Sequence, residues 1–444
     1  MNHAGPWLER VATFVFLALF AGIMWPPDAY FAGQMMTPQG ASNIYDFSEF
    51  AGLVAFLAFG LLACRRELPQ LLWWAWPALA LAAFAFMSAY WSDDPSLVVR
   101  RAGTVTLSTL FGIYLVGRGD FGWLIATLVK IFALAAIASF FAIAFLPQAA
   151  TVTGDYYTHA WRGAFTDKNE LGMVCGEALI FAIYAYYKRL GPRWIAGFVI
   201  AAYLVLLYGS QSKTPIVFMT AALYAALVVM ALRRRSAAGL ITGYALLVFG
   251  LAAAGLLAVG WQDALLALGR DPTFTNRTRI WQLALEYIAK RPWLGYGFGA
   301  FWREQSDTAQ IFWAALGFKT PHVHNSWLEM ALGIGVVGAG IAAFAWLAAF
   351  YRTLRVAAAP HAEHVAFALA LLAAIFFENL SEYEFFRPGR LMWALFVAVL
   401  VYLGREVAIE RVSRAEERRA LAVRIRTPLV RPAREAAAPT VAAQ

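Results

Sequence analysis

Long apolar segments constrain the fold of this chain more than any other feature of its sequence. A helix that crosses the roughly 30 Å hydrocarbon core of a bilayer needs about 20 predominantly apolar residues. The chain is 61% hydrophobic and only 14% charged, whereas a soluble domain carries about 25% charged residues. We therefore predict an all-α integral membrane protein with about twelve transmembrane helices. The spans are expected at about residues 10–25, 45–63, 71–90, 97–116, 121–146, 169–187, 194–209, 214–232, 239–260, 326–350, 364–380 and 389–404.

Lys and Arg residues are concentrated in every second connection between these segments. The basic connections contain Arg10, Arg65, Arg66, Arg118, Lys188, Arg189, Arg193, Arg233, Arg234, Arg235, Arg352, Arg355 and the tail after Arg405. The short alternate connections lack positive charge: residues 26–44 carry none, and residues 91–96 carry Asp93 and Asp94. Because basic loops stay in the cytoplasm, we expect both termini there. Topology thereby explains the net charge of +9, and no nucleic acid partner is expected.

The connection at residues 261–325 is the longest on the non-cytoplasmic side. We predict that it contains an amphipathic helix, because apolar residues recur on one helical face; these are Ile280, Leu283, Ala284, Tyr287 and Ile288. Gly295, Gly297 and Gly299 follow in alternation, and without a preceding strand they favour a flexible re-entry toward the membrane over a phosphate cradle.

This loop divides the chain into four parts. Residues 1–260 form transmembrane helices 1–9, residues 261–325 form the loop, and residues 326–404 form transmembrane helices 10–12. We expect residues 405–444 to form a cytoplasmic tail that is partly disordered: a frayed helix that runs into disorder, because the tail is charged and then rich in Ala and Pro. Both termini share one side only if the number of spans is even, so we expect the first helix to be retained and not cleaved as a signal peptide.

A histidine pair lies immediately before the predicted tenth span. Ser326 and Glu329 have the spacing of a capping box, so the helix should begin at about Ser326, with His324 at its entry. The positive end of the helix disfavours an imidazolium, and a neutral His324 could act as a general base on a sugar hydroxyl. Packing at a helix entry is the alternative interpretation. A zinc site at His322 and His324 is a less favoured interpretation, because the spacing supplies no third ligand.

Positive charge occurs on the non-cytoplasmic side, against the topological bias. The residues concerned are Arg162, Lys168, Lys213, Arg277 and Arg279. Arg presents a planar fork to phosphate oxygens and Lys a point charge. As a group around an apolar vestibule, these residues favour a diphosphate-binding site. Individually, each could mark the end of a loop or bind a lipid head group.

Two groups of acidic residues lie on the same side. Asp93-Asp94-Pro95 could hold a metal ion, but Asp94 as N-cap with Pro95 at the first helical position explains the same residues more simply. Glu378, Glu382 and Glu384 lie near Arg387, which predicts structural ion pairs. Binding of an acceptor sugar by Glu378, Glu382 and the neighbouring His322 is the alternative.

Three segments resemble one family of bacterial envelope proteins. They are residues 162–172 (RGAFTDKNELG), residues 276–281 (NRTRIW) continuing to 292–297 (PWLGYG), and residues 324–328 (HNSWL) followed by Gly333 and Gly335. Their order and topology resemble the O-antigen ligase and Wzy-type polysaccharide polymerase family. Residues 91–95 (WSDDP) with Arg100 resemble the exopolysaccharide-polymerase branch.

The resemblance implies a GT-C-like membrane glycosyltransferase of the bacterial inner membrane, with its active site in the periplasm. Such an enzyme moves a glycan from an undecaprenyl-diphosphate donor to a sugar hydroxyl acceptor, with inversion and without a metal or other cofactor. His324 would be the essential histidine, Arg277 the loop arginine and Arg162 the earlier arginine. The family often has Arg where this chain has Lys213. Its partners would be the lipid-linked oligosaccharide, the glycan acceptor, membrane lipids, and a chain-length regulator or flippase.

The sequence leaves three functions open. Polymerisation of exopolysaccharide repeat units is favoured by the branch resemblance, and ligation of O-antigen to lipid A core is the alternative within the family. An exporter of polysaccharide or lipid, without bond chemistry, is the alternative from another class. An exporter usually carries ionisable residues in mid-membrane, whereas this sequence places its polar residues at the helix ends.

Overall fold

Helices make up nearly all of the structure, which is a computed structural model. It describes residues 7–21, 44–154, 157–234, 236–250, 252, 277–357, 359 and 362–426. The predicted connection at 26–44, the first part of the 261–325 loop and the end of the tail therefore lie largely outside the described residues.

The helices follow one another with few strands between them. They are α1 (Trp7–Phe20), α2 (Ile44–Ala63), α3 (Leu68–Met87), α4 (Pro95–Arg118), α5 (Phe121–Phe145), α6 (Pro147–Ala150), α7 (Lys168–Lys188), α8 (Arg193–Ser210), α9 (Thr214–Arg233), α10 (Ala237–Gly250), α11 (Arg277–Lys290), α12 (Asp307–Leu316), α13 (Ser326–Val356), α14 (Val365–Glu378) and α15 (Leu391–Arg426). A 3₁₀ turn, Ser88–Trp91, follows α3.

Seven of the described helices are long and apolar enough to cross a membrane. They are Leu68–Trp91, Phe121–Phe145, Lys168–Lys188, Arg193–Ser210, Pro215–Arg233, Ser326–Val356 and Leu391–Arg419. Gly52–Ala63, Ala237–Gly250 and Val365–Glu378 are shorter apolar helices. The predicted all-α membrane class is confirmed, while the count of twelve spans stays a prediction. The last predicted span, residues 389–404, largely coincides with the start of α15, and this helix continues into the tail as far as Arg426.

A small antiparallel hairpin lies between α6 and α7, which the sequence did not predict. Its strands are β1 (Thr151–Gly154) and β2 (Tyr157–Trp161). The hairpin packs on the turn after α8: the Gln211 side-chain amide donates to the Thr158 carbonyl at 3.0 Å. Gly209 faces the Trp161 ring so closely that a Cβ there would collide with the indole. The segments 151–161 and 209–213 are thereby held together.

Helix α13 is interrupted at Ile334 and Gly335, where the backbone leaves the helical region and Gly335 adopts φ +67° and ψ −178°. A glycine turn (residues 292–299) fills the interruption. Its Tyr296 and Gly297 amides donate to the carbonyls of Leu332 at 3.0 Å and Gly333 at 2.8 Å. The turn is therefore fixed to α13 by backbone hydrogen bonds, in place of the flexible re-entry that the sequence suggested.

The 277–325 segment has an apolar cluster of its own. The structure places a helix at Arg277–Lys290 and buries Ile280, Ala284, Tyr287 and Ile288 of the predicted apolar face, with Leu283 partly buried against the cluster. Aromatic side chains of the glycine turn, of the residues that follow it and of α12 complete this cluster. For example, Trp302 and Phe312 meet edge to face with 5.0 Å between ring centroids. This cluster attaches α11 and α12 to the first half of α13.

Gly335→Ala should destabilise the protein by about 1–3 kcal/mol, because its backbone conformation is nearly exclusive to glycine. In addition, a Cβ at Gly335 would collide with the Trp293 carbonyl. The measurement is the thermal unfolding midpoint of the purified protein in detergent. Gly340→Ala is the matched control, since a Cβ added at this helical glycine would meet no atom within 4 Å; it should leave the midpoint unchanged or slightly raised. Equal midpoints for both variants would contradict the role given to the interruption.

Candidate functional site

The loop between α14 and α15, residues 379–390 (the return loop), is clasped to the start of α13 by Asn379. The Asn379 side-chain oxygen accepts hydrogen bonds from the Ser326 hydroxyl at 2.6 Å, the Glu384 amide at 2.9 Å and the Phe385 amide at 2.7 Å. The Ser326 amide in turn donates to the carbonyls of Asn379 at 3.0 Å and Glu382 at 3.1 Å. This clasp brings the return loop against the residues that precede α13.

The predicted capping box at Ser326 and Glu329 is wrong, although the helix does begin at Ser326. Asn325 is the N-cap, and its side-chain oxygen accepts from the amides of Trp327 and Leu328, both at 3.0 Å. Ser326 is instead used in the clasp. The Glu329 carboxylate turns away from the cap and accepts from the Trp302 indole at 2.7 Å and the Val323 amide at 3.0 Å.

His324 is held in an unusual backbone conformation immediately before this cap. Its φ is +53°, in the left-handed region, and its amide donates to His322 Nδ1 at 3.2 Å. Burial, then the neighbouring His324 and three arginines, lower the pKa of His322 well below the usual range. His322 is therefore neutral at pH 7, and with Nδ1 as an acceptor its proton is on Nε2. The two rings lie 4.2 Å apart, centroid to centroid.

Glu382 of the return loop faces both His324 and Arg277. One carboxylate oxygen lies 2.5 Å from an Arg277 Nη atom and the other 3.5 Å from His324 Nδ1. Arg277 also donates to the Ser381 carbonyl. Burial raises the pKa of Glu382, but His324 and Arg277 outweigh it, so the net pKa is lowered and the group is an anion at neutral pH. The Nε2 edge of His324 lies on the side of the ring away from this carboxylate.

The five predicted cationic residues do not form a single group. Arg277 joins His324, but Arg279 donates to the Ala315 carbonyl of α12 at 2.5 Å, because residues two apart in a helix point in different directions. Arg162 donates to the carbonyls of Ala149 and Thr166, which brace its own segment. Lys168 is the first residue of α7, and Lys213 is an exposed residue just before α9.

The return loop connects the start of α7 to the histidine pair. Arg390 contacts Glu170 of α7, and its Nε lies 3.7 Å from Glu384. Glu384 also pairs with Arg387 at 2.7 Å. The predicted ion pairs of the acidic group are thus present at Glu382 and Glu384. Glu378 differs, since it is fully buried and neither oxygen has a hydrogen-bond partner among the described residues.

Asp94 is the N-cap of α4, as predicted. Its carboxylate accepts from the Leu97 amide at 3.0 Å and from the Ser96 hydroxyl at 2.7 Å. The hydrogen bond from Ser96 lowers the pKa of Asp94 most. Asp94 also lies 3.5 Å from Arg303. Among the described residues, no group of three or more His, Cys, Asp or Glu side chains could hold a metal ion.

Sequence reasoning missed the residues that assemble the site. Asn379 and Ser326 are ordinary polar residues at the ends of apolar segments, and no local spacing indicates that they meet across 53 positions. Arg390 and Glu170 meet across 220 positions. The available signal was the occurrence of strongly polar side chains at the ends of membrane helices, where unpaired charges are costly.

The Glu382–Arg277 pair should make stability depend on pH. Because folding lowers the pKa of Glu382 below its usual 4.5, the stabilisation is full above that value and is lost as the pH falls further. Glu382→Gln should cost about 3–5 kcal/mol near neutrality, since it leaves Arg277 without its partner. The difference in unfolding midpoint from wild type should shrink as the pH falls below about 4.5 and the Glu382 carboxylate takes up a proton.

Glu304→Gln serves as the control for this series, because Glu304 forms an exposed pair with Lys319 at 3.0 Å. Exposed pairs contribute about 0–1 kcal/mol, so this variant should follow wild type at every pH. A Glu382→Gln deficit that stayed constant across the whole range would show that its charge is not the cause.

The comparisons with known proteins agree with this architecture. Residues 196–344 match the family described as O-antigen ligase (Wzy_C), a stretch that includes Arg277, His324 and the interruption of α13. The chain is also 28% identical over 342 residues to the exopolysaccharide production protein ExoQ of Rhizobium meliloti (strain 1021). The aligned region covers 70% of this chain and 74% of ExoQ. The resemblance predicted from the sequence is confirmed, because residues 196–344 of this membrane protein match the O-antigen ligase family.

Proposed function

We propose that this protein is a glycosyltransferase that moves a glycan from an undecaprenyl-diphosphate donor to a sugar hydroxyl, joining exopolysaccharide repeat units. The observation that carries the proposal is His324, partly exposed at a helix entry, with a buried carboxylate facing one ring nitrogen. The O-antigen ligase match and the name of the ExoQ relative support the substrate class.

In the proposed reaction, His324 Nε2 takes the proton of the acceptor hydroxyl. The hydroxyl oxygen forms a bond to the anomeric carbon of the donor, and the bond from that carbon to the diphosphate oxygen breaks with its electron pair. The products are the lengthened glycan and free lipid diphosphate, with inversion at the anomeric carbon. Glu382 opposite Nδ1 fixes the ring orientation and stabilises the imidazolium that forms, as a carboxylate does beside a catalytic histidine.

Arg277 has two roles in this proposal. Its contacts with Ser381 and Glu382 hold the carboxylate in place, and further N–H groups of its fork are available to the donor diphosphate. Arg162, Lys168 and Lys213 are proposed to attract the diphosphate from the side of α7 and α9. The contact of Arg279 with α12 favours a structural role for that residue.

The acceptor is proposed to approach along the histidine pair. His322 carries a proton on Nε2 and can donate it to a sugar oxygen. Glu382 is already engaged by Arg277 and His324, and Glu378 is fully buried, so both fit a supporting role better than direct contact with the sugar. Lipid head groups surround the site, and a chain-length regulator or flippase is proposed as a further partner.

We place the reaction at the periplasmic face of the inner membrane, in a GT-C-like arrangement of twelve spans with both termini in the cytoplasm. The support is the distribution of Lys and Arg between alternate connections. A lipid-borne donor fits this location, because sugar nucleotides are made and kept in the cytoplasm. A diphosphate is a good leaving group, so a base and positive charge suffice for the transfer.

His324→Ala should abolish transfer while the protein remains folded and inserted, because no other group replaces the base. The measurement is conversion of lipid-diphosphate oligosaccharide by the purified protein in nanodiscs, without ATP or an ion gradient. His322→Ala should be milder, since it removes a support for the His324 amide and a donor to the acceptor. Near-normal turnover by a folded His324→Ala protein would leave the histidine with a packing role only.

Arg277→Ala should lower kcat/KM roughly 10- to 150-fold. This corresponds to a loss of about 1.5–3 kcal/mol of transition-state stabilisation, the scale of a hydrogen bond to a charged group. Arg277→Lys should recover only part of this, because a point charge cannot contact Ser381, Glu382 and a phosphate together. Arg279→Ala is the comparison at the same helix terminus and should lose much less. Equal losses at the two positions would indicate a general electrostatic effect and not a specific contact.

Loss of the protein from its host should abolish high-molecular-weight secreted polysaccharide and leave lipopolysaccharide largely unchanged. The reason for expecting a polymerase is the similarity to ExoQ and to the exopolysaccharide branch. The measurement is gel analysis of both polymers in the deletion strain and in a complemented strain. Accumulation of full-length lipid-linked O-antigen over a bare lipid A core would identify a ligase instead.

One observation favours export as a second candidate. Glu177 is buried in the middle of α7, one of the helices long and apolar enough to cross a membrane. An ionisable residue in such a position is typical of transporters. Liposomes that contain the purified protein separate the two functions. An exporter would move lipid-linked glycan in response to an ion gradient and leave its length unchanged, whereas the transferase lengthens the glycan without a gradient.

A further inference from the structure

One arginine near the histidine pair differs from the others in its surroundings. Arg101, in the second turn of α4, is partly buried, and its Nη1 donates to the Gly299 carbonyl of the glycine turn. Within the described part of the chain, Arg101 has no carboxylate at ion-pair distance. The nearby arginines do have one: Arg277 pairs with Glu382, Arg303 with Asp94, Arg387 with Glu384 and Arg390 with Glu170.

The glycine turn holds the Arg101 guanidinium in place. Gly299 has φ +68°, and a Cβ there would lie 2.6 Å from Arg101 Nη1. The absence of a side chain at Gly299 therefore allows the close approach. The Arg101 charge acts on Glu329, but the Glu329 oxygens already accept from Trp302 and Val323. The guanidinium is thus fixed by a neutral carbonyl, and its charge is not neutralised by direct contact.

Tyr383 of the return loop connects Arg101 to the histidine pair. Burial raises the pKa of Tyr383, while the charges of Arg387 and Arg101 lower it. The Arg387 guanidinium lies 5.6 Å from the centroid of the Tyr383 ring. The centroid of the Tyr383 ring also lies 5.7 Å from that of the His322 ring. Tyr383 therefore contacts both Arg387 and the histidine pair, and it lies within electrostatic range of Arg101. Arg277 approaches the pair from a different direction, through Glu382.

We propose that Arg101, assisted by Arg387, forms a second oxyanion subsite on the Tyr383 side of the histidine pair, which binds a phosphate group of a lipid diphosphate. A partly buried cation that contacts no carboxylate among the described residues is costly, and a bound phosphate would supply negative charge in direct contact with a planar fork already oriented by Gly299. This inference rests on the proposed function, in which two lipid-borne glycans meet at one base. The phosphate belongs either to the donor or to the carrier of the acceptor.

Binding of inorganic pyrophosphate to the purified protein in nanodiscs tests the subsite without requiring activity. Wild type and Arg100→Gln should show the same thermal stabilisation by pyrophosphate, because Arg100 is the exposed neighbour of Arg101. Arg101→Gln should need at least about tenfold more pyrophosphate for the same shift. No stabilisation of wild type, or equal stabilisation of Arg100→Gln and Arg101→Gln, would overturn the proposal.

If Arg101→Gln does not fold, Arg101→Lys tests the subsite instead, because lysine keeps the charge and can still donate to the Gly299 carbonyl. Its pyrophosphate affinity should fall at least about threefold, since the fork is lost; an unchanged affinity would overturn the proposal.

Kinetics then identify the source of the phosphate. If Arg101→Gln has a raised KM for the lipid-linked donor alone, the subsite binds the leaving diphosphate. If its KM is raised for the acceptor alone, the subsite binds the phosphate of the acceptor's carrier. Unchanged KM values for both would contradict the subsite in an active protein. If wild type transfers no glycan at all, the proposed function fails, whereas the pyrophosphate measurement still stands for or against the subsite.

Discussion

The clasp between Asn379 and Ser326 is the interaction on which the candidate site depends. One amide side chain accepts from a hydroxyl and two backbone amides while it donates to the Ile375 carbonyl at 2.7 Å. All of these groups are buried, so each would be costly without its partner. The clasp therefore fixes the return loop relative to α13, and Glu382 reaches His324 only because of that registration.

The interruption of α13 is the second constraint, and it follows from the same rule about unpaired polar groups. Backbone amides and carbonyls within a membrane must be satisfied by protein, and a helix that breaks exposes several of them. The glycine turn supplies the missing partners, with Val336 donating to the Pro292 carbonyl at 2.8 Å as a further example. Glycine is required on both sides of this contact because the two backbones lie too close together for a Cβ.

The sequence was sufficient for features that depend on local pattern. Apolar runs predicted the helices, Asp94-Pro95 predicted a cap, and His324 was placed at a helix entry. Local pattern failed where several residues could satisfy the same role: Asn325, and not Ser326, caps α13. It failed completely for contacts between distant positions, such as Glu382 with His324. It could not separate Arg277 from Arg279, because helix orientation decides which of the two faces the return loop.

The separation in sequence between the two halves of the clasp has a consequence for biosynthesis. His324 and the start of α13 leave the ribosome well before the return loop, which lies 53 or more positions further along the chain. During that interval the histidine has neither its carboxylate nor the anchor that fixes the helix entry. The proposed transfer therefore requires the return loop to have reached the start of α13, because only then does the Glu382 carboxylate face the His324 ring.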